Sequence, residues 1–91
     1  MLPKNREPTS PGEFLKDIIT ELEMTQETLA KKMGVGIQTV NLIINGKRSI
    51  TADTALRLAK VFDTTPEYWM NAQAAVDLWR ARRELQAEGR L

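Results

Sequence analysis

Thr25–Ile44 reads TQETLAKKMGVGIQTVNLII. Thr25 is placed as the N-cap of a helix whose inner face carries Leu29, Ala30 and Met33. Gly34 ends that helix, because a left-handed C′ position suits glycine best. Only Gly34-Val35-Gly36 separates it from the next helix, which Asn45-Gly46 closes. A short glycine turn between two helices is the spacing of a helix-turn-helix. The inner positions agree with that reading. Small Ala30 lets the second helix approach closely, Gly34 makes the sharp turn, Val35 plugs the corner, and Val40 and Ile43 pack back onto the first helix.

The outer face of the second helix is mixed in character. With Val40 at the centre of the buried side and ~100° per residue, Gln38 and Leu42 fall nearly opposite, with Asn41 on one flank and Thr39 on the other. Ile37 lies at the helix N-terminus, near the boundary. In a helix-turn-helix this face enters the DNA major groove. Gln and Asn pair bidentately with adenine, and Ile and Leu touch a thymine methyl. Ile37, Gln38, Thr39, Asn41 and Leu42 are therefore the candidate base readers. Asn45, then Lys47 and Arg48 in the following turn, are candidate phosphate contacts. Gln26 joins them from the first helix, whose N-terminal amides are free to bind an anion.

Working outward, the fold class is all-α, with five helices and no strand. A helix precedes the pair, with Ser10 as cap, Pro11 at its first position, and Phe14, Leu15, Ile18, Ile19 and Leu22 at helical spacing. A fourth follows Thr51, with Ala52, Ala55, Leu56, Leu58, Ala59 and Phe62 as its apolar positions. The fifth starts at Thr65-Pro66 and runs to about Glu88, where Gly89 ends it. Residues 1–9 are expected to be a flexible arm. Residues 10–91 form a single domain, including a C-terminal dimerisation helix at about 66–88.

Composition excludes several functions. The 91 residues suit one small domain, and 42% hydrophobic residues rule out general disorder. Cys and His are both absent, which removes the thiol nucleophile, the commonest general base and the commonest zinc ligands. There is no phosphate-binding glycine loop. The chain is not read as an enzyme, and no cofactor, metal or catalytic residue is assigned. No apolar run approaches the ~20 residues of a membrane span, and MLPKNREPTSPGEF lacks the apolar core of a secretory signal. A cytoplasmic location is expected.

Net charge is only +1, but it is unevenly spread. Residues 7–27 hold Glu7, Glu13, Asp17, Glu21, Glu23 and Glu27 against Lys16 alone, a balance of −5. Residues 28–52 hold Lys31, Lys32, Lys47 and Arg48 and no acid, a balance of +4. Such a chain presents a basic face to a polyanion while staying near neutral.

TQETLAKKMGVGIQTVNLIINGKRSITADTALRLAKVF resembles the Cro/repressor type of helix-turn-helix domain. The flanks narrow the resemblance. Pro-Gly-Glu opening the first helix, INGKR.IT.DTALRLAK in the middle and PEYW.N.Q...DLW in the last helix are similar to the HigA family of antitoxins, over residue 8 to about 80. The resemblance implies a five-helix repressor-like fold and a homodimer on a palindromic double-stranded operator. It also implies repression of its own operon and neutralisation of a HigB-type mRNA-cleaving toxin. Ile37 and Leu42 are apolar where relatives often carry polar residues, so no operator sequence is carried over.

Trp69, Ala72, Val76 and Trp79 form a helical stripe. Trp69 is expected to cover the core, while Val76 and Trp79 are the candidate dimer contacts. Glu13, Asp17 and Glu21, with Glu7 and Glu23 beside them, form an acidic surface for a basic toxin. Two other readings stay open: a stand-alone transcriptional repressor with no toxin partner, and a protein-interaction module without DNA binding.

Overall fold

The computed structural model describes residues 6–91. Among these the regular structure is helical throughout: α1 (Pro11–Glu21), α2 (Gln26–Met33), α3 (Ile37–Ile44), α4 (Ala52–Phe62) and α5 (Pro66–Ala87). Four of them start on a hydroxyl that accepts a first-turn amide: Ser10 from Glu13, Thr25 from Thr28, Thr51 from Thr54, and Thr65 from Tyr68. Each such cap is worth about 1 kcal/mol. Pro11 and Pro66 sit in the first turns of α1 and α5, where the missing amide costs nothing.

One core joins all five helices. Leu15 and Ile19 of α1 meet Leu29, Ala30 and Met33 of α2, Val40 and Ile43 of α3, Ala55 and Leu58 of α4, and Trp69 of α5, with Ile50 supplied by the loop before α4. Trp69 is fully buried, and its indole N–H is satisfied by the Thr64 hydroxyl at 2.9 Å. Tyr68 meets the Trp69 ring edge-on at 5.1 Å.

Gly12 explains why α1 opens on Pro-Gly. A Cβ there would run into the carbonyl oxygen of Ile43 and lie 2.9 Å from that of Ile44. Without one, α1 rests directly on the C-terminal turn of α3.

Two apolar expectations are corrected. Leu56 is 60% exposed, and Ala52 is exposed as well, because α4 turns Thr54, Ala55, Leu58 and Ala59 inward. Leu56 lies two residues from Leu58 and so points to the other side of the helix. Val76, expected at a dimer contact, is only 2% exposed and packs within the protomer, leaving no side-chain surface for a second copy.

α5 carries the long dimension of the molecule, 45 Å against 23 and 21 Å. From Arg80 onward every residue is exposed. Of the arm expected over 1–9, residues 1–5 lie outside the described residues, while Glu7 is tied to α5. Arg80 donates to its carboxylate through Nη2 at 3.0 Å and Nε at 3.2 Å. That hydrogen bonding holds the Glu7 carboxyl below its ordinary range and raises the Arg80 guanidinium.

Candidate nucleic-acid interface

The corner between α2 and α3 is built as its residue types require. Gly34 adopts φ 75°, and its amide returns to the Ala30 and Lys31 carbonyls. The Val35 amide donates to the Ala30 carbonyl at 3.0 Å. A residue missed by sequence reading locks this corner from outside. Arg57 of α4 donates through Nη1 to the Met33 carbonyl at 2.8 Å and the Gly34 carbonyl at 3.3 Å. Its Nε is held by Asp53 at 2.9 Å. The i, i+4 spacing of Asp53 and Arg57 was visible in the sequence, but their aim at α2 was not.

Val40 and Ile43 are buried, which fixes the face that α3 turns outward. Gln38 and Asn41 are exposed, and Ile37 is 51% exposed. Thr39 is half-buried. Leu42, placed opposite the core by periodicity, is also half-buried. Its carbonyl accepts both the Lys47 and Arg48 amides, so the returning turn lies against this end of the helix. The fully open face is therefore narrower than expected, made of Ile37, Gln38 and Asn41.

Asn41 is supported on both sides. Its Nδ2 donates to Gln26 Oε1 of α2 at 3.3 Å, and its Oδ1 accepts from Asn45 Nδ2 at 3.2 Å. An amide nitrogen carries two hydrogens and an amide oxygen two lone pairs. One of each remains free, which is what bidentate pairing with an adenine edge requires. The two residues expected on phosphate, Gln26 and Asn45, thus meet the central candidate reader.

Lys47 and Arg48 are exposed, and neither pairs with an acid among the described residues. Arg48 Nη1 donates to Thr39 Oγ1 at 3.2 Å, which carries the positive charge alongside α3. Two adjacent cations beside an open polar helix face form a surface suited to a polyanion.

Known proteins share this fold. The helix-turn-helix family matches residues 15–69. A structure of an addiction module antidote protein of the HigA family from Coxiella burnetii is 45% identical, covers 91% of each chain and superposes with a TM-score of 0.87. Antitoxin HigA-1 of Vibrio cholerae is 43% identical over 86 residues, 93% of this chain and 81% of its own. This chain belongs to the HigA family of helix-turn-helix proteins. A further structure, the Pseudomonas aeruginosa antitoxin HigA with the higBA promoter, is 36% identical, covers 90% of each chain and has a TM-score of 0.85.

Two other surfaces of this HigA-family chain bear on partners. Glu13, Asp17, Glu21 and Glu23 are exposed, and none enters an ion pair among the described residues. Glu7 differs, being neutralised by Arg80. On α5, Trp79 is half-buried with Arg83 stacked over its ring at 5.0 Å, and its indole N–H is enclosed without an acceptor among the described residues. Leu78 beside it is 62% exposed. Among the described residues no helix is long and apolar enough to cross a membrane.

Proposed function

We propose that this protein is the sequence-specific DNA-binding antitoxin of a type II toxin–antitoxin system. As a cytoplasmic homodimer it represses its own operon and neutralises a HigB-type mRNA-cleaving toxin, with no catalysis of its own. The observation that carries the DNA role is Asn41, held between Gln26 and Asn45 on an open helix face beside Lys47 and Arg48, which pair with no acid among the described residues. Base reading falls to Ile37, Gln38, Asn41 and, at the edges, Thr39 and Leu42. The structure of the Pseudomonas aeruginosa antitoxin HigA with the higBA promoter supports the DNA role. Two-fold symmetry of the dimer calls for a palindrome with half-sites ~34 Å apart. With Val76 buried, Trp79 is the dimer contact on α5.

The test expresses the intact operon. Binding of the purified chain to its own promoter region, together with co-purification of a small basic protein encoded beside it, is the expected result. Operator binding with no co-purifying protein points to a stand-alone repressor. No salt-dependent binding to duplex DNA removes the DNA role.

A further inference from the structure

The motif PEYW.N.Q...DLW contributes two polar residues, Gln73 and Asp77, that lie on α5, away from the reading face of α3. Gln73 nevertheless reaches the loop that follows α3. Its Oε1 accepts the Ile50 backbone N–H at 2.9 Å, and its Nε2 donates to Asp77 Oδ1 at 2.9 Å. The amide fits only one way round. The oxygen faces the N–H and the NH2 group faces the carboxylate, so Asp77 fixes the orientation that Ile50 needs.

The loop from Asn45 to Thr51 is tied to α3 at its start, where the Asn45, Gly46, Lys47 and Arg48 amides all return to α3 carbonyls, and at its end it depends on Ile50 and the Thr51 cap. Lys47 and Arg48 are attached to α3 through the Leu42 carbonyl, and the Ile50 side chain is buried. Only Ser49 separates the second cation from Ile50, so the Ile50 anchor sets the direction in which the chain leaves Lys47 and Arg48. The Gln73 bond is the only side-chain hydrogen bond that joins this loop to α5 among the described residues.

We propose that Gln73 is a positioning residue for DNA binding: oriented by Asp77, it holds the Ile50 backbone so that Lys47 and Arg48 stand at phosphate distance beside the reading helix. The inference rests on the phosphate role given above to those two cations. It makes α5, the proposed dimer helix, the element that also sets the backbone-contacting turn. A phosphate contact depends on where its cation is held, since displacement into bulk solvent returns the counterion that binding had released.

The test compares the parent with Gln73→Met, Asp77→Ala, the double variant Gln73→Glu/Asp77→Asn, and Lys47→Ala. Gln73→Met keeps length and bulk but removes the acceptor. The double variant exchanges donor and acceptor between the two positions, keeps an acceptor for the Ile50 N–H and leaves net charge unchanged. Amide hydrogen exchange at Ile50 reads the bond in the free protein, and promoter titrations over a range of salt read its consequence. In Gln73→Met, Ile50 should exchange about tenfold faster and promoter affinity should fall about tenfold. The slope against salt should drop by about 1. The double variant should recover both. Asp77→Ala leaves the core untouched and should move exchange and slope in the same direction, so the test stands even where Gln73→Met does not fold. Faster Ile50 exchange with an unchanged salt slope overturns the inference, because a merely structural bond would behave so. Unchanged exchange overturns it too. A parental salt slope in Lys47→Ala is a different failure, that of the phosphate role itself, and the inference goes with it.

Discussion

Asn41 of α3 donates its side-chain amide to Gln26 of α2 at 3.3 Å, linking the two helices of the helix-turn-helix on their outer side. A reader held in this way has lost rotamer freedom before DNA arrives, and ordering such a side chain on binding costs about 0.5–1.5 kcal/mol. Gln26→Ala should therefore weaken promoter binding by about 1 kcal/mol without altering which sequence is preferred. Asn41→Ala should cost about 1–3 kcal/mol and change the preference. Competition titrations with single-base operator variants separate the two. Equal losses on promoter and random duplex for Asn41→Ala would remove it as a base reader.

Lys47 and Arg48 are neighbours, but the structure gives them different surroundings. Lys47 makes no side-chain bond among the described residues, whereas Arg48 is bonded to Thr39 on the edge of the reading face. Lys47→Ala should weaken all duplexes alike and lower the salt slope by about 1. Arg48→Ala should do the same and also shift sequence preference, because Thr39 is released. Identical specificity profiles for the two variants would leave the Arg48–Thr39 bond without a role in recognition.

Gly12→Ala is a sharp stability test. In an open helix the change gains roughly 1 kcal/mol from helix propensity. Here the added Cβ meets the backbone carbonyl of Ile43, and a backbone atom has no rotamer by which to escape. Overpacking of this kind costs about 1–3 kcal/mol. A lower urea midpoint with an unchanged slope is expected, and a raised midpoint would show that α1 and α3 separate without penalty.

These cases show what could be read from the sequence and what could not. Caps at Ser10, Thr25, Thr51 and Thr65, and the left-handed turn at Gly34, were legible because their cause lies within a few residues of their effect. Gly12 was visible as part of a Pro-Gly-Glu opening, yet its reason is a carbonyl on α3. Arg57 and Gln73 escaped notice likewise, since their partners lie 24 and 23 residues away. Asp63 was missed for another reason. It ends α4 at φ 54° without being glycine, a conformation that Asp tolerates but composition does not signal. Val76 shows the limit of periodicity, which identifies an apolar stripe but not whether the protomer or a second copy covers it.

The Glu7–Arg80 pair gives a pH prediction with a definite sign. Hydrogen bonds from Arg80 lower the Glu7 pKa. A carboxyl lowered on folding stabilises above its unfolded pKa, and that contribution is lost as pH falls through the folded value. Both side chains are more than a third exposed, so the effect on stability is small. The titration itself is the better readout. Arg80→Met should raise the Glu7 carboxyl towards the ordinary glutamate range in an NMR titration, and an unmoved value would mean that the contact is not held in solution.

The acidic face of α1 bears on the toxin. Asp17 and Glu21 are exposed, lie at i, i+4 on one side and have no cation partner among the described residues, so their fields add. A nuclease that holds RNA must itself be basic where it grips phosphate. Long-range attraction between such surfaces raises the association rate more than the final affinity. Reversing both residues to Lys should therefore slow toxin capture strongly at low salt and only weakly at high salt, where the Debye length shrinks to a few ångströms. Promoter binding should change little, since α1 is not the reading helix. Glu7→Lys should have a smaller effect, because Arg80 already neutralises that carboxylate. Stopped-flow association with purified toxin decides the matter: a parental on-rate in the double reversal at low salt would make α1 a solvated face and place the toxin on another surface.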